Sequence, residues 1–221
     1  MEVTPVEFSL NVWKRSILSR ACAVLGLLAA LFAVGCGGVP KVYYYTLQVP
    51  SAPAATDPRT DYVLGVEHFR APEILRDDRI VYYVSPTQIN FYQNHRWGSD
   101  PATLVSDYTV QWMDSSGVFS QVKALPVREH VDYTLGGSIL SFEEVDSDGG
   151  SKVRLGLALS LVRTSDHKLV WSGEQHQETP LPEHGVEGVA IALNASCAQV
   201  LRQMAPALIA QVEQDYKSSG K

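Results

Sequence analysis

Cysteine is scarce in this chain. Of three in 221 residues, only Cys197 lies beyond residue 40, so the body of the protein has no pair for a disulfide. Cys197 falls in a helical pattern and reads as a small buried hydrophobe. Basic residues are few as well: 18 Lys and Arg stand against 24 Asp and Glu, for a net charge of -6. They are scattered, which leaves no surface to neutralise phosphates and excludes nucleic acid as a partner. Phosphate loops, dinucleotide fingerprints and His-Glu-x-x-His pairs are missing too, so neither a cofactor nor a metal is expected.

Partial motifs do not fill that gap. Gly136-Gly137-Ser138-Ile139-Leu140 has half of a nucleophile elbow, but Leu140 replaces the glycine that the sharp turn requires. A strand with a bulge at Gly136-Gly137 explains these residues better. Asp146-Ser147-Asp148-Gly149-Gly150-Ser151 lacks the ligands of a calcium loop and reads as a hairpin turn. Glu174, His176 and Glu178 share one face of a strand near His184, the pattern of a solvated face rather than a zinc site. No catalytic residues emerge, and the chain is read as a non-enzyme.

Long apolar runs are absent with one exception. Ala21–Val34 carries no charge and follows Lys14, Arg15 and Arg20. As a helix it would rise about 21 Å, short of the ~30 Å hydrocarbon core, so it reads as a secretory signal rather than a span. It ends at Ala33-Val34-Gly35-Cys36, which resembles a bacterial lipobox with Ala33 where leucine is usual. The expectation is recognition by the signal peptidase through Ala33 and Gly35, cleavage after residue 35, and acylation of Cys36. Residues 36–41 then form a short tether, 42–216 a folded domain and 217–221 a disordered tail. Gly37, in place of aspartate, resembles lipoproteins sorted to the outer membrane, and the domain would face the periplasm.

The remainder has globular composition, 45% hydrophobic and 19% charged with a mean hydropathy of -0.04. Strands are expected at Val42–Val49, Tyr62–Phe69, Arg79–Val84, Gln88–Tyr92, Val118–Val122, Tyr133–Val145, Val153–Leu161 and Leu169–Glu178. A helix should start at Ser99 or Asp100 with Pro101 in its first turn and stop at Gly117. Helical spacing from Gly185 to Tyr216 gives a second, with a kink at Pro206. These orders predict an α+β domain of mixed or antiparallel sheet with both helices on one face. Aromatic residues crowd Tyr82–Trp112, and Tyr82, Phe91 and Trp97 are the candidates for a partner surface.

The order of features resembles one family. Tyr43-Tyr44-Tyr45-Thr46-Leu47 is similar to the opening of the ABC-type transport auxiliary lipoproteins. So are Arg79-Ile80-Val81-Tyr82, Phe91-Tyr92, Arg96-Trp97, Phe142-Glu143 and the final helix with Ala190, Ala195 and Leu201. The resemblance implies a fold akin to the TolB N-terminal domain. It also implies a non-catalytic role beside a mammalian-cell-entry (MCE) domain protein and its ABC permease and ATPase, moving lipids or hydrophobic solutes. Self-association is a further expectation. A lipoprotein that assists cell-wall synthesis or envelope assembly is the alternative, because related folds serve both roles.

Overall fold

The computed structural model describes residues 39–50, 59–146 and 150–218. Strands β1 (Tyr43–Tyr45), β2 (Val63–Val66), β3 (Arg79–Ser85) and β4 (Gln88–Trp97) come first. Helix α1 (Pro101–Ser115) and the short β5 (Gln121–Ala124) follow. Strands β6 (Tyr133–Val145), β7 (Lys152–Arg163) and β8 (Lys168–Pro180) form a long meander, and α2 (Val186–Ser218) closes the chain. Residues from Val42 on form one compact unit. In the other, Met1–Lys41, only Val39–Lys41 are described, and they are exposed.

One mixed sheet carries all eight described strands. Its centre is antiparallel: β6 pairs with β7, and β7 with β8. The other side of β6 is shared. Near its start it pairs in parallel with β2, which pairs in parallel with β5. Near its end it pairs in parallel with β3, which continues to β4 and β1. This is the expected α+β architecture.

The alternation of Val153, Leu155, Leu157, Leu159 and Leu161 buries that row of β7 against α2. From the helix, Val189, Leu193, Val200, Leu201, Leu208 and Val212 meet it as one stripe. Hydrogen bonds tie β8 to the same helix, from Gln175 Nε2 to Gln203 Oε1 (2.7 Å) and between the Thr179 and Ser196 hydroxyls (2.8 Å). Helix α1 lies against α2, β2, β5 and β6, so both helices cover the same sheet face. Asp100 caps α1 by accepting from the Thr103 amide at 3.0 Å, and Gly117, with φ of 65°, follows its end. Helix α2 runs on through Pro206, which is exposed.

Several sequence expectations shift. The first strand has only three residues, because β1 pairs solely with His95–Trp97 of β4. The fifth begins at Gln121, since Val118 and Phe119 are spent in the core before it. The bulge in β6 is at Leu140, not Gly136-Gly137: Ile139 opposes Leu157 while Ser141 opposes Gly156. Leu140 is the extra residue and is exposed, and the half-turn it adds keeps Ile139 and Phe142 on the buried face. Gly137 has another purpose. The Phe69 ring lies over it, 2.5 Å from where a Cβ would be, so glycine admits an aromatic ring against the strand.

Candidate functional site

The aromatic concentration resolves into an edge built by β1, β4 and β3. His95 is its centre. Tyr43 stacks on it at 5.2 Å and Tyr45 at 5.7 Å between ring centroids, while Tyr92 meets it edge-on at 6.1 Å. The Tyr45 hydroxyl and His95 Nδ1 are 2.9 Å apart. Tyr82 packs on Tyr92 at 4.7 Å, and the Tyr92 hydroxyl donates to Glu144 Oε2 at 2.6 Å. Burial pushes the Glu144 carboxyl up, partly opposed by that hydrogen bond, and burial with the same bond raises Tyr92. On the opposite side of the β3–β4 ribbon, the Arg79 guanidinium lies 3.8 Å over the Phe91 ring.

Trp97 does not belong to this surface. It is 1% exposed and packs on Phe142 at 5.1 Å. The cause is an irregularity in the ribbon. Val81 opposes Phe91 and Arg79 opposes Arg96, so β4 advances five residues while β3 advances two. That odd excess inverts the alternation. Phe91 and Arg96 share a face with Arg79, whereas Trp97 turns into the core. Of the three residues read as a partner surface, Tyr82 and Phe91 remain half-exposed, on opposite faces of the ribbon, and Trp97 is structural. His95 escaped notice in the sequence because the two tyrosines that stack on it come from β1, some fifty residues earlier.

The lipobox residues Ala33, Gly35 and Cys36 lie outside the described residues, as do 147–149 of the predicted hairpin turn. Cys197 is free and 2% exposed, and burial pushes its thiol up to about 12, well away from nucleophilic chemistry. Glu174 contacts His176 at 2.9 Å and Glu178 pairs with Lys152 at 2.6 Å. These contacts are those of a solvated strand.

Two hollows lie elsewhere on the sheet. One, of about 510 Å³, lies on the sheet face away from the helices, floored by Gly136, Ser138, Ala158 and Ser160 and bordered by Arg70 and Glu174. The second, of about 340 Å³, lies where α2 ends beside the start of β6 and the end of β7. There Asp215 accepts from the Tyr133 hydroxyl (2.8 Å) and from Arg163 Nε (3.2 Å). Burial opposes the Asp215 charge, but these hydrogen bonds outweigh it and hold the carboxyl below its usual range. Arg163 also reaches Asp166 at 3.0 Å, so its charge is answered twice. This is a clasp between helix and sheet.

Comparison with known proteins agrees with this fold. A crystal structure of a Xanthomonas campestris protein of the DUF330 family superposes with a TM-score of 0.67 at 21% identity, covering 80% of this chain and 99% of that one. A second crystal structure, of an uncharacterized protein, gives 0.61 at 19% identity, covering 76% and 99%. At these identities the similarity concerns the fold. Among curated proteins no significant match was found. The family model for the ABC-type transport auxiliary lipoprotein component, however, matches residues 45–205, from the aromatic edge through most of α2, and the chain belongs to that family.

Proposed function

We propose that the protein is the lipid-anchored, non-catalytic docking component of an envelope transport system. Its partners in this reading are an MCE-domain protein with an ABC permease and ATPase, and the cargo is a lipid or hydrophobic solute. Cys36 carries the acyl chains, Ala33 and Gly35 direct the cleavage, and the domain stands on the outer membrane facing the periplasm. The family match over residues 45–205 carries the proposal. The ordered aromatic edge supports it, because π faces held in place by stacking and hydrogen bonds suit a protein surface.

Docking is assigned to the β3–β4 ribbon through Tyr82 and Phe91. The test is co-purification of the MCE-domain partner with the acylated protein. Replacing Tyr82 and Phe91 together by alanine should abolish capture while the protein still unfolds at its normal temperature. Undiminished capture by a folded double variant would remove the ribbon from the interface. Trp97→Ala is the contrasting case: its loss opens the core, and ~3–5 kcal/mol of stability should go with it.

A further inference from the structure

Large apolar side chains are exposed at few places among the described residues, and one of them is the tip of the β3–β4 hairpin. Val84 is 40% and Ile89 36% exposed, with exposed Pro86 in the turn between them. A cleft of about 410 Å³ opens beside the tip, between Tyr83, Val84 and Pro86 on one strand end and Val145 on another. Nothing in the fold requires bulk there, because the turn is closed by the Ser85 and Gln88 pair and by the Asp146 amide donating to the Tyr83 carbonyl at 2.9 Å.

Topology sets where this tip lies relative to the start of the folded domain. Strand β1 runs parallel to β4, and β4 begins at the hairpin tip, so the chain enters β1 from the tip's direction. Tyr43 is opposite His95, one step from Arg96, which faces Arg79. From that level β3 climbs five to six residues to Ser85, about 17–20 Å. The seven residues from Cys36 to Val42, whatever their path, reach at most about 25 Å. That length suffices to attain the plane of the tip and little beyond it. The other end of the sheet, where Leu169 is 55% exposed, lies about seven rungs the opposite way along β6, roughly 23 Å, and a chain that enters β1 from the tip's direction would have to double back over nearly its whole extended length to get there.

We propose that the β3–β4 tip is the part of the domain that touches the bilayer, with Val84, Pro86 and Ile89 at headgroup depth. The inference rests on acylation of Cys36 in the reading above and adds to it an orientation. The acyl chains hold the protein at the membrane; the small apolar tip sets which end faces the lipid. The sheet then stands on its hairpin, and the body of the ribbon, with Tyr82 and Phe91, remains clear for the transporter.

The experiment uses the full-length acylated protein in phosphatidylcholine–phosphatidylglycerol vesicles that contain doxyl-labelled lipid. A fluorophore is attached at Ile89→Cys, at Val84→Cys or, as the distant reference, at Leu169→Cys; Cys197 is buried and does not compete. Quenching at positions 84 and 89 should exceed that at 169 by roughly twofold or more. Equal quenching at all three, on protein that floats with the vesicles, overturns the contact and leaves the anchor standing. Failure of the unsubstituted protein to float, or flotation undiminished in Cys36→Ala, overturns the anchor reading and this orientation with it.

Discussion

The two faces of the β6–β7–β8 meander are made by the same strands in alternation, yet they differ in kind. Toward the helices stand Leu135, Ile139, Leu155, Leu157 and Leu159, all nearly inaccessible. Away from them stand Gly136, Ser138, Ala158, Ser160 and Ser172, small and mostly hydroxylated. Further along the same open face come Arg154, Glu174, His176 and Glu178, the long polar side chains of a surface that meets water, so the small residues form a shallow hollow within it.

Substitutions can break this contrast. Leu157→Ala on the covered face removes a side chain that is 1% exposed, and should cost about 3 kcal/mol, within the 2–5 kcal/mol range for such cavities. Denaturant unfolding would register it as a lower midpoint at an unchanged slope. At the margin where the helix clasps the sheet, Asp215→Asn should cost about 1–2 kcal/mol, since the site is partly open to solvent. The sign of its pH dependence follows from the depressed carboxyl. In the unfolded chain Asp215 titrates near ~4, so its contribution is complete above that value and fades as pH falls through the lower folded value. Acid unfolding of the wild type should therefore steepen below about pH 4, and the Asn variant should lose that part of the slope. Least affected should be Ser172→Val on the open face, within about 0.5 kcal/mol. A loss matching that of Leu157→Ala would show that the open face is part of the core.

Much of the fold was legible in the sequence, for reasons that differ by element. The alternation from Val153 to Leu161 and the helical stripe from Val189 to Val212 are local periodicities, and both became the expected elements. Asp100 and Pro101 likewise marked the start of α1. The aromatic site was harder to read. Its residues were visible as a composition, but the facing of each depended on an irregular ladder that spacing does not reveal. Regular alternation puts Trp97 on the same side as Phe91, and the extra residues in β4 reverse that. Gly137 misled in a similar way. Its reason for being glycine is Phe69, almost seventy residues earlier.

The β4 excursion has a further consequence, for tolerance to insertion and deletion. Along a strand, inward and outward positions behave like a two-letter reading frame, and an odd number of surplus residues shifts it. Between Phe91 and Arg96, removing or adding one residue would exchange the positions of Arg96 and Trp97, placing a guanidinium in the core and an indole in water. Two residues would restore the frame and change only the size of the loop. Length variation in this segment is therefore expected in steps of two, even though the segment lies at the rim of the sheet, where loops ordinarily vary freely.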